Sequence, residues 1–373
     1  MTEVLTEQST PPPPPPLRKD RLLAVGLYTG SVTGALAIAA VLVTATGGSL
    51  SQVFKALLDG AVLKPGRWGN TLGIASFLLL VALGTIVAYR AGLVNIGQEG
   101  QLMMGAAAAA FVGTRLPGYG PLILVLAVIA GVGGGALWAS VAAGLRLRRV
   151  PEVISTLLLV TVAFQAAGYF VSETFLLLDP DPNRPNRVLV SAQLTADRRL
   201  PHLHIFGNDI SLSLVVALVV ALILAFVLAR TVWGFRLRVL GQNPRAAQRV
   251  GVSSRGLGTL ALAVSGGLAG LAGSLMFTGG LANHTFTPGF ANNFGWEGLL
   301  VALVGRNHPI VVIPMAIVFA ALRTGGGFLA STGVERKIVD VVQALLVLAL
   351  LIPPAILYIR ERRRAMAAVR SRT

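Results

Sequence analysis

The sequence predicts an all-α polytopic membrane protein of about ten transmembrane helices, with an inverted-topology internal repeat and both termini cytoplasmic. Three observations predict it. Apolar runs long enough to span a bilayer recur from Leu22 onward, in a chain of 373 residues that is 54% hydrophobic and 12% charged, with mean hydropathy +0.74. Arginines supply almost all of a net charge of +16 and gather at the ends of those runs, which is the positive-inside pattern of membrane proteins rather than a nucleic-acid footprint. Lastly, the stretch Arg90–Gly105 lies between the apolar runs Leu72–Ala88 and Leu102–Val112, yet packs Asn95, Gln98, Glu99 and Gln101 close together. Such groups are costly at membrane depth and face a bundle interior or a wet cavity. The glycines around them permit a broken helix.

In chain order, residues 1–20 form a polar tail that carries the run Pro11–Pro16, a stiff polyproline II spacer expected to be disordered and cytoplasmic. Arg18, Lys19 and Arg21 precede the first span, Leu22–Ala45, which is too long for a signal-peptide core and is read as retained. At roughly 20 residues per crossing, further spans fall at Leu72–Ala88, Ile96–Val112, Leu122–Leu145, Val153–Phe175, Ser211–Ala229 and Leu257–Thr278. Trp296–Val304, which is short, Ile310–Leu329 and Ile338–Ile359 complete the set. The membrane domain is thus 21–359, followed by a basic cytoplasmic tail at 360–373. Charge tests the count. With the N-terminus inside, ten spans put Arg146–Arg149, Arg230–Arg255, Arg306 and Arg360–Arg372 all on the cytoplasmic side.

The segments Gly47–Asn70, Arg115–Pro121, Leu176–Asp209, Leu281–Gly295 and Ser331–Lys337 then face outward. The longest, Leu176–Asp209, contains Asp179-Pro180-Asp181-Pro182-Asn183 and reads as an extended loop. Its His202 and His204 read as surface histidines, because no carboxylate or cysteine cluster accompanies them. The chain has no cysteine, which excludes disulfides and thiol chemistry. It also lacks a catalytic constellation and a P-loop, so no cofactor is expected in this chain.

Two short stretches echo each other. Gly97-Gln98-Glu99-Gly100 opens the third span and Gly295-Trp296-Glu297-Gly298 the eighth. Five spans apart, they enter the membrane from opposite sides, as the halves of an inverted repeat would. A second informative segment is cytoplasmic, 234–251. Asn243 suits an N-cap, Pro244 the first helical position and Gly251 the stop. Pro244–Val250 is therefore expected to form a two-turn helix about 10 Å long. A helix that short needs something to hold it.

These residues carry a resemblance. Gly92–Met103, Val150–Leu158, Arg238–Ala247, Ser265–Gly273 and Val301–Pro309 resemble the permease subunits of bacterial ABC importers for nucleosides and simple sugars, in particular the larger of two paired permeases. The likeness covers about Leu72 to Ile359. It implies a multi-pass protein of the bacterial plasma membrane that pairs with a second permease subunit. A cytoplasmic ABC ATPase would hold ATP and Mg, and an extracytoplasmic substrate-binding lipoprotein would deliver the small-molecule cargo. On that reading Asn95, Gln98, Glu99, Gln101 and Glu297 line or support the translocation path, with Phe286 and Trp296 as candidate stacking surfaces. Asn243, Pro244, Arg245, Ala246, Ala247, Arg249 and Gly251 form the coupling helix, with Ala246, Ala247 and Val250 seated in a groove on the ATPase. Rival classes are a secondary transporter or channel, with Glu99, Glu152 and Glu297 as ion or proton sites, and an ABC exporter of lipid-like substrates.

Overall fold

A computed structural model describes residues 18–45, 50–179, 189–205 and 207–329, with scattered positions between 341 and 364. The chain runs through α1 (Arg18–Ala45), α2 (Leu50–Leu58) with a π-helical turn Asp59–Leu63, α3 (Arg67–Arg90), α4 (Gln98–Arg115), α5 (Gly120–Leu147) and α6 (Glu152–Phe170). An antiparallel hairpin follows, β1 (His202–Ile205) paired with β2 (Asn208–Ser211) in the register His202 opposite Ser211. Then come α7 (Ser213–Arg230), α8 (Val232–Gln242), α9 (Pro244–Arg249), α10 (Ser254–Thr278), α11 (Phe294–Val304) and α12 (Val312–Leu329).

Among the described residues, five helices, α3, α5, α6, α7 and α10, are long and apolar enough to cross a membrane by length and composition. Their burial separates them into two kinds. The apolar stretch of α3 is 94% buried and that of α10 is 78% buried, against 28% in α5, α6 and α7. A helix apolar all round and mostly buried sits at the centre of a bundle, so α3 and α10 form the axis. The outer helices expose Leu137, Leu158, Leu222 and Phe226, which costs nothing where hydrocarbon replaces water. Since lipid tails offer no hydrophobic drive between helices, close packing of small residues supplies the attraction. The seam of α10 with α4 and α5 shows it. A Cβ at Gly270 would lie 2.2 Å from the Gly131 carbonyl oxygen, and one at Gly273 would lie 2.1 Å from that of Leu102. The backbones touch.

Helix α3 also defines two faces. At its Arg67 end, Gly69 lies against the backbone of Asp209 in β2. At its Arg90 end, the carbonyl of Arg90 lies against Gly241 at the end of α8.

The structure refines several expectations. Within the segment Gly47–Asn70, whose structure the sequence left open, α2 and its π turn form a corner in which Gly60 packs on Phe328 and Gly325 on Leu57. Leu176–Asp209 carries a short 3-10 turn and strand β1, so among the described residues the helical fold also holds one hairpin and an isolated bridge between Leu178 and Ser191. The fifth apolar run stops as a helix at Phe170, short of Phe175. Most of residues 1–20, of Ile338–Ile359 and of 360–373 lie outside the described residues or carry no described side chain.

Candidate functional site

Helix α4 does not begin where α3 ends. From Arg90 the chain turns at Gly92, whose φ of +73° is a left-handed conformation suited to glycine, and residues 91–97 run back along α3 without helix. Gln98 then donates from Nε2 to the Val81 carbonyl at 3.1 Å, and its Oε1 accepts from Thr85 Oγ1 at 2.8 Å. Those α3 residues place the start of α4 roughly 10 Å inside the Arg90 face, at 1.5 Å per residue. The helix then runs to the opposite face, where Arg115 Nε donates to the Leu176 carbonyl at 3.0 Å.

The second half-helix mirrors it. After α10 the chain re-enters from the Arg67 face, and α11 starts at the same depth: a Cβ at Gly298 would lie 2.4 Å from Val81 Cγ1. Its 11 residues carry it the other way, to the Arg90 face, where Arg90 Nη2 donates to the Asn307 carbonyl at 3.5 Å. Two half-helices therefore meet N-terminus to N-terminus inside the bundle and leave in opposite directions. The echoed motifs are the two ends that meet. A Cβ at Gly295 would fall 2.3 Å from the Glu99 nitrogen, so only glycine admits this approach.

Each half-helix exposes orphan N–H groups in its first turn, and the chain satisfies those of α11 itself. Glu99 Oε1 accepts from the Asn293 N–H at 2.7 Å and Oε2 from the Gly295 N–H at 2.6 Å. A carboxylate at the positive end of a helix dipole is well placed. Asn95 and Gln101 exchange amide hydrogen bonds at 2.8 and 3.0 Å, and Asn95 Nδ2 also donates to Ser265 Oγ at 2.9 Å. Asn95, Gln98, Glu99 and Gln101 are each at most 2% exposed. The side chains of Asn95, Gln98 and Gln101 are closed into the junction by one another and by α3 and α10. Glu297 is held by the guanidinium of Arg323, which also donates to the Asn292 carbonyl at 2.7 Å and lies 4.1 Å over the Phe294 ring. Sequence reading missed Arg323, although a lone arginine in the apolar run Ile310–Leu329 was the signal for it.

Phe286 is fully buried, stacked at 5.5 Å on Phe290, with its backbone fastened to Ser191 at 2.8 and 2.9 Å. Within this chain its ring is closed off and fastens the re-entrant segment. Trp296, at 37% exposed, does present its ring.

On the Arg90 face the short helix forms as expected. Asn243 Oδ1 accepts from the N–H groups of Arg245 and Ala246 at 3.1 and 3.0 Å, Pro244 opens α9, and Gly251 closes it at φ +79°. Arg245, Ala246, Gln248, Arg249 and Val250 are exposed. Ala247 is the exception: it is fully buried within this chain, its carbonyl accepting from Val252 N at 2.9 Å. Just ahead of α9, a Cβ at Gly241 would lie 2.4 Å from the Arg90 carbonyl and 2.9 Å from the Gly92 nitrogen. The end of α8, which leads directly into the exposed rod, is thus seated on the turn that opens the re-entrant segment.

A buried polar junction of opposed half-helices, wrapped by apolar helices and ending on an arginine-rich face, defines a multi-pass membrane transport protein. Residues 68–351 match the family described as the permease component of the branched-chain amino acid transport system, and the chain belongs to that family. It is 30% identical to the guanosine ABC transporter permease NupP of Bacillus subtilis, over 84% of this chain and 89% of that protein. A glucose ABC transporter permease of Haloferax volcanii, TsgB13, is 29% identical over 88% of this chain and 87% of its own length. A second guanosine permease of the same Bacillus strain, NupQ, is 26% identical over 67% of this chain and 75% of its own. No solved structure matches the chain.

Proposed function

We propose that this chain is the membrane-spanning permease subunit of an ATP-driven importer for nucleosides or related simple sugars. It contributes one half of the translocation path and couples to an ATPase carried by a separate cytoplasmic subunit. Two guanosine permeases of one strain among its relatives support pairing with a second, dissimilar permease. An extracytoplasmic binding protein would deliver cargo to the Arg67 face. The ten-span topology, with both termini on the Arg90 face and that face cytoplasmic, is part of the same reading. It is supported by the two faces on which successive helices end and by the arginines at 146, 148, 149, 236, 238, 245, 249 and 255 on one of them. The opposed half-helices support an inverted repeat relating α3–α4 to α10–α11.

The observation that carries the proposal is the seat of α9. A capped, solvent-exposed two-turn rod rests through Gly241 on Arg90 and Gly92, so a push on the rod reaches the turn that starts the re-entrant segment. A secondary transporter would not need such a part, and Glu99, its natural ion site, is already occupied by α11 N–H groups. The test is Ala246→Glu, together with the double variant Arg245→Glu and Arg249→Glu. All three positions are exposed, so membrane levels should stay normal. Co-purification of the ATPase and uptake of labelled nucleoside should both fall by more than tenfold, since a misplaced charge at a partner contact costs several kcal/mol, about 3–5. Full uptake with the ATPase still bound would remove α9 as the coupling element.

A further inference from the structure

A cavity of about 400 Å3 opens on the Arg67 face between the start of α3, the β1–β2 hairpin and the segment that follows α10. Its size suits a small-molecule site. Glycine makes the room: Gly66 and Gly73 line it, and a Cβ at either would meet nothing within 4 Å. Its polar lining consists of Asn70, His202, Asp209, Ser211 and His284, and its apolar floor includes Phe77. Lys64 and Arg67, the cations nearest in sequence, sit over the Phe328 ring at 4.5 and 5.0 Å. Neither they nor any other lysine or arginine is among the described residues that line the cavity.

We infer that this cavity is a receiving site for an uncharged, hydroxyl-rich ring, a nucleoside or a sugar, within this single chain. The inference rests on the importer reading and adds to it a place and a charge state for the cargo. The lining is rich in acceptors, and the Ser211 hydroxyl can also donate. Asp209 offers a carboxylate steadied by His204 at 2.7 Å from its Oδ1. In its neutral form, His284 donates from Nδ1 to the Phe277 carbonyl at 3.3 Å, which leaves Nε2 to accept. Burial, then the nearby Arg199 charge, holds that imidazole below its usual pKa and so favours this form. Vicinal hydroxyls fit such acceptors, and the Asn70 amide adds both a donor and an acceptor. A phosphate group would meet the Asp209 carboxylate with no lining cation to offset it. The site also leads somewhere: Phe77 packs edge-on against Phe294 of the junction at 6.1 Å, so the floor of the cavity touches the first turn of α11.

The absence of cysteine makes a direct test available. Asn70 is exposed, so Asn70→Cys introduces one thiol at the cavity with little risk to folding; Tyr119→Cys, on an exposed residue of the same face, is the control. The complex purified with its partner subunits, in detergent and without ATP, is labelled with a maleimide in the presence of guanosine, uridine, glucose or guanosine monophosphate. At about ten times its Kd, a bound neutral ligand should slow labelling at position 70 by about tenfold and leave position 119 unchanged. Guanosine monophosphate should not protect. Gly73→Leu, which fills the cavity, should abolish the protection seen in the Asn70→Cys background and lower uptake at subsaturating cargo. If cells import one of the neutral compounds but it leaves position 70 unprotected, the site assignment is overturned while the importer reading stands. Equal protection by the monophosphate overturns it as well. If none is imported and none protects, both fall.

Discussion

At the residue scale, Glu99 concentrates the logic of the junction. It is an ionisable residue inside the bundle, and its two oxygens accept from backbone N–H groups of another half-helix, at 2.7 and 2.6 Å. Glu99→Gln keeps the shape but turns an amide NH2 toward one of those donors. A buried donor left without an acceptor costs about 1–3 kcal/mol, so this variant should unfold at a lower temperature in detergent and assemble less well, with uptake falling as a consequence. An unchanged melting temperature with reduced uptake would instead make the carboxylate a cargo contact. Asn95, Gln98 and Gln101 form a neighbouring buried network that is tied through Ser265 to α10. Glu152, by contrast, opens α6 without a resolved side-chain partner, and its carboxylate suits the first turn of that helix.

At the element scale, the informative pair is α9 and the turn it presses on. Asn243 and Gly251 make the rod a rod, as their sequence positions suggested, but its seat depends on the touching backbones of Gly241 and Arg90. Gly241→Val would push a side chain into a carbonyl 2.4 Å from the new Cβ, and overpacking of that kind costs about 1–3 kcal/mol. The ATPase should still bind, because the exposed face of α9 is untouched. What should be lost is coupling: ATP hydrolysis that no longer responds to cargo, and uptake reduced in proportion. A variant that transports normally would show that the Gly241–Arg90 contact carries no motion. The buried Ala247 teaches the related lesson that a small residue on a short helix can serve the chain's own packing.

At the scale of the whole molecule, α3 and α10 form a buried axis, and each is followed by a segment that folds back into the bundle before its half-helix begins. The two half-helices run in opposite directions from one depth, so the topology reading makes a sharp demand. A reporter fused after Thr373 should be cytoplasmic and one inserted near Asn186 should be external. Either result reversed removes both the ten-span arrangement and the inverted repeat.

Composition, apolar length and arginine placement determine the membrane class, because each acts one segment at a time against lipid and water. The α9 rod is equally local: cap, proline and stop glycine are chain neighbours. The echo of Gly97–Gly100 and Gly295–Gly298 was legible as a likeness of letters, yet nothing in the letters placed the two ends in contact. Contact was decided by tertiary structure, because it depends on how deep each re-entrant segment reaches along α3. The same holds for Arg323 beneath Glu297, for Phe286 shut inside the loop and for the corner built by α2. Burial and partnership between residues far apart in sequence arise only when the helices have packed, and no local pattern encodes which side of a residue that packing will close.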